Sequence, residues 1–289
     1  MQLVEQHVIR RSDPRFAPLD AAAFKAKNLY NAALYLVRQA FIFENRSLGY
    51  EDVYQQMKGH DAYRALPTKG AQQVLRLLDK NWQSYCAACE ADRQDPSKFR
   101  KHPKLPHDKP KQDGRYALVY TMQALSRPGL KRGLIQPSMV PITVPTQQYP
   151  AAMACVRIVP RIGFSVVEVV YECQEAAPSG NPALYAAVDS GVDNLAALTS
   201  NKKGFVPRLV NGRPLKSPNH YDKKRKAELQ AALGHEGTTA RVERFTAKRT
   251  RRINHYLHTA SKAIIALLVA EGIGTLVVGK NPGWKQEAA

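Results

Sequence analysis

The chain has little that could cross-link it and few acids. In 289 residues there are 4 Cys and 2 Trp, and 24 Asp+Glu stand against 43 Lys+Arg. Four cysteines say little about disulfides. Cys86 and Cys89 form a C-x-x-C, but they lie in NWQSYCAACEADRQ, which reads as helix, while Cys155 and Cys173 stand alone on strand-like runs. A zinc site wants two such pairs, or one pair with histidines at ligand spacing. Two small residues on one helix face is the plainer account, against a metal or redox pair. No apolar run is long enough to span a bilayer, and the start, MQLVEQHVIRRSDPRF, lacks the apolar centre of a secretory signal. Nor is there a lipidation signal or an amphipathic anchor. The expectation is a cytoplasmic protein with no membrane partner.

Positive charge is what the chain has in excess. The formal charge is +19 and the pI about 9.9. Such an excess resists compaction, and a polyanionic partner is the usual reason for it. The length allows two or three compact units. The cations are concentrated: from Lys202 to Lys262 there are sixteen Lys/Arg against four Asp/Glu.

Periodicity organises the rest. Gln2 to Arg11 reads as one strand. Helical spacing covers Asp20 to Glu44, Tyr50 to Tyr63 and Gly70 to Arg93, a helical unit. Asp95 to Arg115, DPSKFRKHPKLPHDKPKQDGR, is Pro-rich and basic; it reads as an arm for a phosphate backbone or as a solvated linker, equally. Strands follow at Ala117 to Thr121, Ile142 to Val144, Cys155 to Val159 and Phe164 to Tyr171, the last two joined through Pro160-Arg161-Ile162-Gly163. The N-terminal strand is expected to join this β unit across the helical insert. Further strands are expected at Leu184 to Asp189, Leu195 to Ser200 and Phe205 to Val210. A charged helix over Tyr221 to Leu233 follows, then a break at Gly234 to Thr238. A long helix stopped by Gly272 and a last strand, Gly274 to Val278, complete the pattern.

Asp189 closes the first of these later strands and precedes a Gly-containing turn. A carboxylate there, on open backbone, can meet a metal ion and a phosphate. Three strands, helices and a strand, with an acid on the first strand, is the order of an RNase H-like nuclease core.

At this point the residues match a family. KNLYNAALYLVRQAF, LPTKGAQQVLRLLDKNW, DPSKFR, PKLPHDK, LVYTMQALSRPGLKRG, AVDSGVDNLAALTSNKKGFVPRLVNGRPLKS, KKRKAELQ, RINHYLHTASKAII and IGTLVVGKNPGWKQE together resemble TnpB, the insertion-sequence protein long described as an OrfB transposase. That family consists of RNA-guided DNA endonucleases with a RuvC-type nuclease domain. The resemblance implies an α+β multidomain chain. Its parts would be a first wedge strand at 1–19, a helical recognition lobe at 20–93, a basic connector at 94–115, a β-barrel wedge at 116–180 and an incomplete RNase H-like α/β domain at 183–289. It implies two partners, a guide RNA from the transposon end and a target double-stranded DNA. Lys202, Lys203, Arg213, Lys216, Lys223, Lys224, Arg225, Lys248, Arg249, Arg251 and Arg252 fit the holding of nucleic acid as a cluster, a solvated helix face being the alternative for any single member.

The family's chemistry needs three acids holding two Mg²⁺ ions. Asp189 matches the first acid, as catalytic residue and metal ligand. The position of the second holds Gly279, and the third acid and the paired C-x-x-C zinc ribbon are not in the chain, which stops at Ala289. Asp193 and Glu287 fall where the site does not need them, and Ser190 takes a position usually apolar in the family. His255 and His258, three apart on the long helix, are either a metal pair or a nucleic-acid or packing face. The resulting expectation is a C-terminally truncated, cleavage-defective nucleic-acid-binding relative. The alternatives are a nuclease-dead RNA-guided repressor and a decayed transposase reading frame. A transposase that joins DNA ends has no acid triad to support it.

Overall fold

The computed structural model describes residues 1–99, 101–175, 180–191, 193–232 and 239–279. The chain divides into two compact units, Met1–Gln174 and Glu175–Ala289.

In the first unit, β1 (Gln2–Arg10) leads into α1 (Phe16–Phe43), followed by α2 (Tyr50–Met57), α3 (Asp61–Arg64) and α4 (Thr68–Gln94). Then come β2 (Leu118–Thr121), α5 (Arg127–Lys131), β3 (Leu134–Ile135), β4 (Val144–Pro145), β5 (Met153–Arg161) and β6 (Phe164–Glu172). Helix α1 buries Leu19, Ala22, Ala23, Ala26, Leu29, Ala33, Leu34, Val37 and Ala40, a stripe at spacings of three and four. Its alanines allow close approach to α4, which buries Val74, Leu75, Leu78 and Trp82. The two helices share one core with Ile9, Leu118, Tyr120, Val156, Ile158, Val167 and Val169 of the sheet.

That sheet has the order β1-β6-β5-β2. As expected, β1 pairs antiparallel with β6 across the helical insert, from Gln2↔Glu172 to Arg10↔Phe164. The closed β-barrel that the resemblance implies is not formed among the described residues. The sheet is open, with β1 and β2 as its outer strands, and β3 and β4 make a separate two-stranded ladder. The β5–β6 turn is shorter than expected, because Pro160 and Arg161 pair with Ser165 and Phe164. Pro160 fits there because the β2 ladder ends at Ile158, so no donor is needed on that side. Gly163, at φ +80°, makes the turn. The expected helix over Tyr50 to Tyr63 is two, with His60 Nδ1 accepting from the Ala62 N–H to start the second.

The second unit holds β7 (Asn181–Asp189), β8 (Asn194–Ser200), β9 (Arg208–Asn211), α6 (Arg213–Ala231), α7 (Ala240–Ala270) and β10 (Ile273–Val278). The sheet order is β10-β7-β8-β9. Strands β7, β8 and β9 form antiparallel ladders, and β10 lies parallel to β7. Helix α7 packs Ile264, Leu267 and Leu268 against Ala186, Val188, Ala196, Leu198 and Ile273. Gly272, at φ +66°, ends it as expected.

Two boundaries differ from the sequence reading. Strand β9 starts after Pro207, which has no N–H to give a ladder. Helix α6 starts at Arg213, eight residues before Tyr221, and passes through Pro218. Pro214 suits the helix start, and Asn211 Oδ1 accepts the Arg213 N–H at 2.9 Å. Pro218 then forfeits one helical bond early in the helix. The expected break at Gly234 to Thr238 lies outside the described residues. No described helix is long and apolar enough to cross a membrane.

Leu34, on α1, is 1% exposed and belongs to the core of the first unit. Leu34→Ala should cost about 2–5 kcal/mol in chemical denaturation, through lost burial and a residual cavity. Asp13 gives a pH signature. Its carboxylate accepts from the Arg15 side chain and N–H at the entry to α1. The Arg15 hydrogen bonds hold its pKa down, from 3.8 to about 2. The fold favours the ionised form, so this contribution is present above about pH 4 and is lost as pH falls toward about 2. Asp13→Asn should therefore lower Tm at neutral pH, with its deficit against the parent closing over that acid window.

Candidate functional site

The second unit delivers Asp189 to the C-terminal end of β7, an inner strand flanked by β10 and β8. Its Cα partner on β8 is Ala197. The side chain is exposed, while Val188 and Ala186 of the same strand are buried in the core. Period-two alternation thus roots the strand in the core and leaves its last carboxylate at the rim.

Gly279 lies directly beside it. The Gly279 N–H donates to the Val188 carbonyl at 3.0 Å, extending the β10–β7 pairing one step. A Cβ on Gly279 would stand 3.6 Å from that carbonyl oxygen and 3.9 Å from Asp189 Oδ1, ordinary contacts in both cases. Gly279, the position that the resemblance matches to the second acid, is thus the neighbour of Asp189, and it carries no acid. Two-metal chemistry needs several carboxylates around the ions. Among the described residues no group of three or more His, Cys, Asp or Glu could hold a metal ion. The described residues do not make up a two-Mg²⁺ site, and no reaction step is derived through one. Glu287 lies outside the described residues.

Asp193 is committed elsewhere. It pairs with Lys216, and the hydrogen bond from that ammonium lowers its pKa. Its backbone carbonyl accepts from Gly212 at 2.9 Å, tying the β7–β8 turn to the start of α6. Ser190 lines an open apolar groove of about 240 Å³ with Val188, Leu257, Ile264 and Leu276. His255 and His258 are both exposed on α7.

The eleven cations fall into two groups. Lys202 holds the end of α7, donating to the Glu271 carbonyl at 2.8 Å and its carboxylate at 2.7 Å. Lys216 pairs with Asp193, and Arg225 with Glu228 at 2.6 Å on the same helix. Arg249 donates to Asn219 Oδ1 at 2.7 Å and reaches the buried Asp222 carboxylate at 3.3 Å, which fixes α7 against α6. Four members therefore have structural work. Lys203, Arg213, Lys223, Lys224, Lys248, Arg251 and Arg252 are exposed. Lys248, Arg249 and Arg252 line one small cleft with Tyr221 and Phe245, whose ring centroids are 5.5 Å apart. Those two aromatics were not read as site residues; the signal was aromatic residues interleaved with cations on facing helices.

The sequence pattern of the OrfB_IS605 family, described as a probable transposase, matches residues 168–285. Over those residues the chain is similar to that family. No curated protein matches it in sequence. Among solved structures, the chain is similar to the cryo-EM structure of a Cas12f1–sgRNA–target DNA complex. The TM-score is 0.51 at 10% identity, over 93% of this chain and 65% of that one, so this chain spans less than two thirds of that protein's length. The cryo-EM structure of a CRISPR-Cas12f ternary complex aligns at a TM-score of 0.32 and 10% identity, over 94% of this chain and 64% of that one. The α+β fold is therefore Cas12f-like.

Because the Gly279 position has room, Gly279→Asp should put a second carboxylate against Asp189. In Mn²⁺ the variant should gain about 2–4 °C in Tm relative to EDTA, while the parent chain stays level. An equal response in both proteins would mean that the two positions do not converge.

Proposed function

We propose that this chain is a transposon-associated, TnpB-like nucleic-acid-binding protein that holds a guide RNA and its DNA target without cutting the DNA. The observation that carries the reading is Asp189 at the end of β7 beside Gly279 of the parallel neighbour. The strand order β9-β8-β7-β10, with β10 parallel to β7, supports an RNase H-like, RuvC-type domain, and an acid at the end of β7 fits its first ligand position. The absent carboxyl at Gly279 supports loss of cleavage. The match to a complex of Cas12f1 with sgRNA and target DNA supports both nucleic acids as partners here.

The exposed cations give the reading its physical basis. Contacts from Lys203, Lys223, Lys224, Lys248, Arg251 and Arg252 to phosphates release counterions and make affinity salt-dependent, without reading sequence. Sequence would come from base pairing with the guide. This corresponds to a nuclease-dead, RNA-guided binder, and the closely related repressor role follows if the target lies in a promoter.

The test uses the full chain. RNA that co-purifies with it is sequenced, and a duplex matched to that RNA is offered with Mg²⁺. Guide-dependent occupancy with intact DNA is the expected outcome. Mg²⁺-dependent cutting that disappears in Asp189→Ala would overturn the loss of cleavage, and failure to retain any RNA would sink the guided reading.

A further inference from the structure

The basic Pro-rich arm is not a free linker. Asn31 of α1 donates from Nδ2 to the Lys109 carbonyl and accepts the Lys109 N–H through Oδ1, both at 2.8 Å. The buried Lys27 donates to the Lys111 carbonyl at 2.6 Å. Tyr116 stacks on Tyr30 with centroids 4.3 Å apart. These contacts fasten the arm along α1 and leave between them an open groove of about 430 Å³.

The α1 wall of this groove is unusual for a surface. An amphipathic helix with one stripe in the core should present polar residues elsewhere. Instead Tyr35, Ile42 and Phe43 line the groove and are 66%, 49% and 75% exposed. They share one helical face with Arg38 and Gln39. Lys111 and Asp108 complete the arm side. No ion pair engages Arg38, Lys111 or Asp108 among the described residues.

Exposed rings interleaved with cations are what unpaired bases and their phosphates need: ring faces and guanidinium planes accept stacked bases, and the cations answer the backbone. A purely apolar partner helix would leave Arg38 and Lys111 without counter-charge. Tyr35 and Phe43 are eight residues apart, about 12 Å along the axis, roughly three to four stacked-base steps. Asp108 decides between sugars. Its carboxylate opposes phosphates, but it accepts a hydrogen bond, and a ribose 2′-hydroxyl is a donor that DNA lacks.

We propose that the groove between α1 and the basic arm binds a short single-stranded RNA segment, with bases stacked on Tyr35 and Phe43, phosphates on Arg38 and Lys111, and a 2′-hydroxyl on Asp108. The proposal deepens the function proposed above and rests on this chain being a nucleic-acid-binding protein.

The probe is an oligouridylate of about twelve nucleotides carrying one 2-aminopurine, a length within single-strand site sizes. Binding to the full chain is read by anisotropy and by quenching of the stacked base. The double variant Tyr35→Ala/Phe43→Ala should bind this RNA at least about tenfold more weakly and lose the quenching. Tyr35→Phe keeps the ring and should bind as the parent does, and Asp108→Ala should erase the preference for RNA over the DNA of the same sequence. All three side chains are at the surface, so folding is retained, and binding of an RNA–DNA heteroduplex checks it. RNA binding that the double variant leaves intact would overturn the groove while leaving the general reading in place. Equal parental affinity for RNA and DNA would overturn the choice of RNA. A dimer that the double variant dissociates, with RNA affinity unchanged, would make this face a self-contact and overturn the proposal. A parent that binds neither RNA nor heteroduplex would remove both readings.

Discussion

The second unit depends on one constraint, the parallel placement of β10 beside β7. A parallel neighbour cannot be reached by a tight turn and needs a crossover segment. Here that segment contains α6 and α7, the two helices that carry most of the second unit's basic residues. The same pairing brings Gly279 to Asp189 through the Val188 carbonyl. The charged face and the rim carboxylate are thus products of a single topological choice. Helix α7 can cover the sheet because its apolar residues recur at spacings of three and four, while its cations fall on the remaining surface.

Electrostatics explains why that basic face is not simply repulsive. Asp222, a buried residue of α6, meets Arg249, Glu271 meets Lys202, and Asp193 meets Lys216. Each acid joins two elements by way of a cation that would otherwise add to the surplus. The exposed Asp193–Lys216 pair contributes little to stability by itself. The use of the three pairs is positional, since they set where α6 and α7 begin, end and touch. Lys203, Lys223, Lys224, Lys248 and Arg252 are exposed at the surface. One oxygen of Asp222 is buried without a hydrogen-bond partner, so the α6–α7 contact is only partly satisfied.

Much of this was legible in the residues. The Val-rich runs of β5 and β6 declared themselves through β-branched composition, and α1 through the alanine-rich period that burial on one face leaves. The stop at Gly272 and the pairing of β1 with the distant β6 also followed. The start of α6 was missed because Pro218 reads as a breaker, although a proline early in a helix removes only one bond. The open sheet in place of a barrel was not legible, since closure depends on edge partners and not on the pattern within a strand. The place of Asp189 at the end of β7 followed from an apolar run closed by an acid and a Gly-containing turn. The structural duties of Lys202 and Arg249 did not, because an ion pair between distant segments has no local signature.

The β1–β6 ladder has a consequence for the order of synthesis. Gln6 and its partner Glu168 are 162 residues apart in the chain. At about 5–20 residues per second, the N-terminal strand must wait on the order of ten to thirty seconds on the ribosome before its partner exists. During that interval α1 and α4 can pair, but Val4, Val8 and Ile9 have no sheet to join. Such a non-local closure slows folding and leaves a hydrophobic strand exposed to neighbouring nascent chains. Shielding the first ten residues during that interval would therefore favour folding over aggregation.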